Sequence, residues 1–342
     1  MKNILSFLVL GLLTLNRVYC QDHIYSQFYN SPQYLNPALN GQFDGDLRMN
    51  LIYRNQWSNI AGPLTYWTLS ADINVPQFGG GFGAIISKSS EGTAFLNKTN
   101  FASIYSYSVE FGNSGTLSFG IQGGVTSRKI DYDKLVFYDQ LDNEGVISGG
   151  ISSATPPEFN NKFFFDSGAG INLVIGSFMI GGAGQHLNTP NESFTGTKSS
   201  LPLRINGYAS YKLILDPFDD EDSPSITPSV LYYQQAQIQS ISAGFQIKKR
   251  GVNIGLWYRG EAKQKDAIVF SLILDIFSKR DYEDKVRLGF SHDATSSRLG
   301  YGNTAGTTEG ALIYETSFSG SSGFNRNYYR NNNNSKKCYD FY

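Results

Sequence analysis

Segments of about ten residues that alternate apolar and small polar side chains, separated by turn residues, fill the chain after Gly41; this period of two constrains the fold more than any other feature. In 116–128, Leu117, Phe119, Ile121 and Val125 oppose Thr116, Ser118, Gln122, Thr126 and Arg128. In 47–54, Leu47, Met49, Leu51 and Tyr53 oppose Arg48, Asn50 and Arg54, and in 203–213, Leu203, Ile205, Ala209, Tyr211 and Leu213 oppose Arg204, Asn206, Ser210 and Lys212. A strand turns successive side chains to opposite faces, so each segment has one greasy face and one wet one.

A soluble sandwich alternates in the same way. Two features favour a membrane barrel. The polar face mixes Arg, Lys, Asp and Glu with many Ser, Thr and Gly, which suits a hydrated lumen, and aromatic pairs at strand ends (Tyr66-Trp67, Tyr232-Tyr233, Trp257-Tyr258) suit interfacial girdles. No stretch reaches the roughly 20 apolar residues of a membrane helix, and without such helices only a closed barrel can span a bilayer.

Fourteen candidate strands fall near 45–57, 65–75, 79–89, 100–111, 115–128, 162–174, 177–187, 202–215, 224–235, 238–249, 251–261, 265–277, 284–295 and 310–319. With the amino end in the periplasm, the second, fourth and sixth connections are short (76–78, 112–114, 175–176), and the odd ones include the long stretches 129–161, 188–201 and 296–309. Short periplasmic turns and long outer loops are the asymmetry of outer-membrane barrels. The prediction is therefore an all-β protein: a transmembrane antiparallel β-barrel of about 14 strands over 45–319, integral to the outer membrane. The 36 Gly, 22 Tyr and 24 Phe agree, being residues of strands and tight turns. With 28 Lys+Arg against 29 Asp+Glu the net charge is -1, so no global field draws in nucleic acid.

The ends depart from this pattern. Lys2 followed by an apolar run from Ile4 to Leu15 reads as a secretory signal peptide over 1–20, cleaved after Cys20 to leave Gln21 first; lipidation of Cys20 is the weaker alternative, because Arg17-Val18-Tyr19 lacks small residues. Cys338 is then the one cysteine left, which excludes a disulfide within the chain. Residues 21–44, with Pro32, Asn36-Pro37 and Gly41, read as an ordered coil that leads into the barrel or plugs it. The tail 320–342, with Asn331 to Asn334 and Lys336-Lys337, is polar and of low complexity, with disorder expected.

No catalytic, cofactor or metal site is predicted. His23, His186 and His292 occur in no His-Glu-x-x-His or paired-cysteine pattern and are assigned structural roles. In Ser291-His292-Asp293 alternation turns His292 away from its neighbours, so they form no triad, and no Gly-x-Ser-x-Gly elbow occurs. The acidic cluster Asp216, Asp219, Asp220, Glu221 and Asp222 lacks the spacing of a calcium loop and reads as a solvated turn. Gly79-Gly80-Gly81-Phe82-Gly83 precedes no helix, so it is no phosphate cradle but a turn entering a strand whose lumen side must stay small.

Tyr25-Ser26-Gln27-Phe28, Pro32, Leu35-Asn36-Pro37-Ala38 and Gly41, followed by Tyr53-Arg54-Asn55-Gln56-Trp57, resemble the opening of the PorP/SprF family of Bacteroidetes outer-membrane proteins. Gly255-Leu256-Trp257-Tyr258-Arg259 and Gly289-Phe290-Ser291-His292-Asp293 look like later strands of that family. The resemblance implies a non-enzymatic outer-membrane component of the type IX secretion system. It would bind secretion components and a secreted cargo protein with a C-terminal signal domain, such as a gliding-motility adhesin. For the motif residues Asn36, Pro37, Tyr53, Arg54, Gln56 and Trp57 two readings stand. In one, Arg54 pairs in the lumen with an acid such as Asp72 or Glu110 while the Asn-Pro segment packs into the barrel; in the other, the segment docks to the machine. A channel or hydrophobic-compound transporter with an N-terminal plug is the rival function, and a surface adhesin or receptor a third.

Overall fold

The computed structural model describes residues 22–317 except 44, 63, 93–95, 113, 133–134, 143, 146–151, 155–160, 195–197, 216–222, 262–264 and 278–283. The expected signal peptide over 1–20, the acidic cluster and the tail with Cys338 lie outside the described residues.

The strands are β1 Leu47–Gln56, β2 Leu64–Val75, β3 Gly80–Glu91, β4 Leu96–Phe111, β5 Gly115–Ile130, β6 Asn161–Ile175, β7 Phe178–Gln185, β8 Arg204–Tyr211, β9 Leu213–Ile214, β10 Ser225–Gln235, β11 Ile238–Lys249, β12 Val252–Gly260, β13 Lys265–Phe277, β14 Asp284–Thr295 and β15 Thr307–Thr316. Segments β8 and β9 both pair with β10 and form one strand broken at Lys212, so the fifteen segments make a fourteen-stranded antiparallel sheet. It closes because β15 pairs with β1, from Leu47 opposite Thr316 to Gln56 opposite Thr307. Closure leaves no sheet edge to satisfy, which a bilayer requires. No helix among the described residues is long and apolar enough to cross a membrane.

The inside-out burial decides between a soluble sandwich and a membrane barrel. Ile121 and Phe163 on the outer face are 62% and 63% exposed, whereas Arg287 and Glu309 on the inner face are 0% exposed. A continuous belt of exposed Leu, Ile, Phe and Tyr far exceeds the apolar patches that water tolerates, so this belt faces lipid. The connections 131–160 and 186–203 leave one end of the barrel, and the turns at 112–114, 176–177 and 250–251 close the other, which the loop asymmetry makes periplasmic.

Three expectations need correction. The last strand ends at Thr316 and starts at Thr307, because its register is set by β1 and not by the weak alternation of its first residues. Strand β4 begins at Leu96, its polar start Asn97 to Asn100 pairing with Thr126 to Lys129. The aromatic pairs are not girdles as pairs: Tyr66, Tyr233 and Trp257 are buried in the lumen, Trp67 and Tyr232 are half-buried, and Tyr258 is exposed outside.

Candidate functional site in the barrel lumen

The lumen is filled by the chain's own residues 22–43, nearly all of them buried. The segment makes no long helix, because Pro32 and Pro37 each lack an amide hydrogen and each starts a turn. Phe28–Asn30 and Pro37–Leu39 are single 3-10 turns, Pro32–Leu35 is one α-turn, and the Asn36 side chain caps the last by accepting from Ala38 N at 2.8 Å.

An irregular backbone away from water must find its hydrogen bonds in the wall. Carbonyls are met by Arg204 and Gln185 at Tyr34 O (2.9 and 3.1 Å), Asn206 at Leu35 O (3.0 Å), Arg48 at Leu39 O (3.1 Å) and Ser106 at Asn40 O (2.6 Å). Amides are met by carboxylates: Glu309 accepts from Ser26 N (2.8 Å) and Gln27 N (2.9 Å), and Asp72 from Gly41 N (2.6 Å). The polar inner face that suggested a hydrated lumen is thus a set of caps for this plug.

Charge is balanced within the same network. Arg54 pairs with Glu309 and, at 3.4 Å, with Asp293; Arg259 pairs with Asp293 at 2.9 Å and with Asp266. Ser26 sits at the centre, donating to Asp293 at 2.6 Å while accepting from Arg54 (3.1 Å) and Arg259 (2.7 Å). The expected pairing of Arg54 with Asp72 or Glu110 is therefore wrong: Asp72 belongs to Arg48 through two bonds of 3.0 and 2.8 Å, and Glu110 is exposed on the strand. Deeper in, Phe28 and Tyr29 pack on Trp257 with centroids 5.2 and 6.0 Å apart, beside Leu35, Leu39, Met179 and Leu231.

The close fit needs glycine in the wall. A Cβ on Gly120 would lie 2.2 Å from the Pro37 carbonyl carbon, and one on Gly81 would lie 2.6 Å from Gly41 Cα. A Cβ on Gly83 would meet the Asn40 side chain at 2.0 Å, so the lumen side of the 79–83 glycine run is small because the plug passes there.

At the outer mouth, Asp22 joins Lys98 (2.6 Å), His186 and Arg204 (3.5 Å), its amide donating to Gln235 at 2.7 Å. Burial opposes its charge, but Lys98, His186 and Arg204 outweigh it and hold the carboxyl well below the ordinary carboxylate range. His186 follows β7; burial depresses its imidazole, yet Asp22 and Asp166 prevail and raise it above its usual 6.5. A histidine with a raised folded pKa stabilises fully below the unfolded value and loses that contribution as pH rises through the folded one. Hydrogen-exchange protection of residues 22–26 is therefore expected to be greatest below pH 6.5 and to fall on the alkaline side, and the His186→Gln variant should lose that dependence. Beside Asp22 lies a void of about 60 Å³ that Glu91, Gln122 and Arg128 help line, and one of about 20 Å³ adjoins Ser31, Leu231 and Tyr233. At about 10–15 Å³ per water the first has room for a few waters and the second for about one.

The six motif residues do not form one site. Asn36 and Pro37 are buried against β5 and β6, where Asn36 donates to Ile171 O and Tyr208 Oη, both at 3.0 Å. Arg54 and Gln56 point inward and bond each other, Tyr53 faces lipid at 47% exposed, and Trp57 sits past the end of β1 with φ +58°. What sequence reasoning missed is the partner set Asp293, Glu309 and Arg259, whose inward parity was readable but whose neighbours were not, and Asp22, which lies in the aperiodic plug. His292 stays outside, bonded to Thr308 and Tyr301 at 3.1 Å, while Ser291 and Asp293 point into the lumen. Among the described residues no group of His, Cys, Asp or Glu is placed to hold a metal ion.

Four stretches far apart in sequence thus meet at one place: 25–28, 53–57, 255–259 and 289–293 each send residues into the plug contact. The family described as "Type IX secretion system membrane protein PorP/SprF" matches over residues 18–314. The chain belongs to the PorP/SprF family. It is accordingly an outer-membrane component of the type IX secretion system, and neither family nor fold is that of a known enzyme class. No curated protein matches the chain. Similar solved structures include the outer membrane protein Omp33 of Acinetobacter baumannii (6% identity, TM-score 0.40, 81% of this chain and 100% of that one). The TodX monoaromatic hydrocarbon channel, as a deltaS2 mutant, is similar at 10% identity and TM-score 0.48 over 84% of this chain and 94% of that one. The CymD monoaromatic hydrocarbon channel is similar at 13% identity and TM-score 0.39 over 88% and 95%. The assignment to PorP/SprF rests on the family match.

Proposed function

We propose that this PorP/SprF protein works as a docking component and not as a conduit, holding a secreted cargo protein or the secretion machine at its water-facing ends. The observation that carries this reading is the plugged lumen: residues 22–43 fill it, and buried ion pairs and backbone caps hold them on several sides. A polypeptide or solute would have to expel a segment bonded to β1, β2, β8, β14 and β15 before it could pass. Of the six motif residues, Asn36, Pro37, Arg54 and Gln56 then serve the plug, Tyr53 serves the lipid face, and Trp57 alone stands at the rim where a partner in water could reach it. Cleavage of the leader before Gln21 belongs to the same reading.

The test is affinity purification of a tagged copy from outer membranes in mild detergent, with every co-purifying protein identified. Recovery of secretion-system subunits or of a large secreted protein with a C-terminal signal domain is expected. A barrel that comes out alone, reproducibly and from cells actively secreting, would sink the docking reading in favour of the hydrophobic-compound channel.

A further inference from the structure

The strand directions fix which way the plug runs. Its carboxyl end leads into β1 at the end closed by the short turns, where Gly41 bonds Asp72 and Gln42 bonds Ser108. Its amino end lies at the opposite rim, the one that the connections 131–160 and 186–203 leave: Lys98 is near the start of β4, Gln235 ends β10, Arg204 starts β8 and His186 follows β7. Asp22 is tied there three ways, through its carboxylate, through its amide to Gln235 and through its carbonyl, which accepts from Tyr233 Oη at 3.1 Å.

We infer that the plug's amino end, at Asp22, faces the cell surface, while its carboxyl end, at Gly41 and Gln42, faces the periplasm. Residues 23–43 fill the lumen between Asp22 at this rim and the mouth closed by the short turns. Two consequences follow. A periplasmic machine cannot open this barrel by pulling on the amino end, since that end is at the wrong mouth. And the plug's amino end has to cross the whole lumen to reach that mouth, whether before or after the seam between β1 and β15 closes. A secreted protein at the outer face then meets the plug from its Asp22 end, which is half-buried over His186, Arg204 and Lys98. The topology does not depend on the docking reading; only this last use of it does.

The experiment uses single cysteines in a Cys338→Ser background and a membrane-impermeant maleimide on intact cells, scored on the folded, heat-modifiable protein. A Gly-Cys-Gly insertion between Gln21 and Asp22 is compared with Tyr138→Cys, on the 131–160 connection and 91% exposed, and with Lys249→Cys, at the short β11–β12 turn. The insertion and Tyr138→Cys are expected to label to a similar extent without permeabilisation, and Lys249→Cys only after it. Labelling of the insertion only after permeabilisation, or under neither condition, would overturn the inference by placing the chain end in the periplasm or inside the barrel. Labelling of Lys249→Cys in place of Tyr138→Cys would overturn it by reversing the barrel. Because docking is not read out, failure here is distinguishable from failure of the proposed function.

Discussion

The Arg54→Ala variant is expected to lose about 3–5 kcal/mol of stability, the range for removing one partner of a buried ion pair. Arg54 is 3% exposed, and its guanidinium is what balances Glu309, itself fully buried, while it also reaches Asp293 and Ser26. Alanine leaves Glu309 without its cation and Asp293 with Arg259 alone, which Asp266 already shares, and removes a donor from the Ser26 hydroxyl. It also leaves a void next to the plug that the rigid strands cannot collapse. The measurement is denaturant unfolding of the detergent-folded barrel, followed by heat modifiability. The double variant Arg54→Met with Glu309→Gln should be less damaged than Arg54→Ala, because it leaves no uncompensated charge from that pair and the new amide oxygen can still accept from one of the two plug amides. If Arg54→Ala unfolds like the parent protein, the ion pairs are not what hold the plug.

How much of this was visible beforehand varies with the range of the interaction. Alternation is local, so strand positions could be read within a few residues nearly everywhere, and so could the sidedness of Arg48, Arg54 and Thr116. Partners across the lumen could not. Arg54 and Glu309 are 255 residues apart, and only closure of β15 onto β1 brings them together. The sequence places Arg54 on the wet face but gives no reason to prefer Glu309 to Asp72, which lies on the neighbouring strand. The plug was the hardest feature to read, because a coil with Pro32, Pro37 and Gly41 has no period to betray its burial. Its signature was indirect: Gly81, Gly83, Gly120, Gly170 and Gly289 all sit on the inner face, where a barrel holding only water has no need for missing side chains. The aromatic pairs misled for the opposite reason. Successive residues of a strand face opposite ways, so Trp257 had to be inside once Tyr258 was outside.

Those inner glycines supply the second large effect. In the Gly120→Val variant the new Cβ would stand 2.2 Å from the Pro37 carbonyl carbon and 2.3 Å from Ala38 N. Both are backbone atoms, so no side chain can swing aside, and Asn36 on the same turn is bonded to the wall through Ile171 O and Tyr208 Oη. Either the turn lifts from β5 or the strand bows outward; overpacking of this kind costs about 1–3 kcal/mol, sometimes more. Lifting is the easier route, because the wall is fixed by ladder bonds on both sides and the turn is not. In planar bilayers the parent protein is expected to show no steady conductance, whereas Gly120→Val should open intermittently. Deletion of residues 23–40 should conduct persistently, since a lumen wider than that of an eight-stranded barrel is not filled by wall side chains alone. Gly207→Val is the matched control: it lies on the lipid face of β8, and a Cβ there meets nothing within 4 Å, so the barrel should stay closed. Closed bilayers with Gly120→Val, together with a protease-resistant amino-terminal segment, would show that the plug tolerates the intrusion, and the close approach at Gly120 would then not be what seats it. Opening with Gly120→Val but not with Gly207→Val ties the seal to the plug and not to the barrel wall.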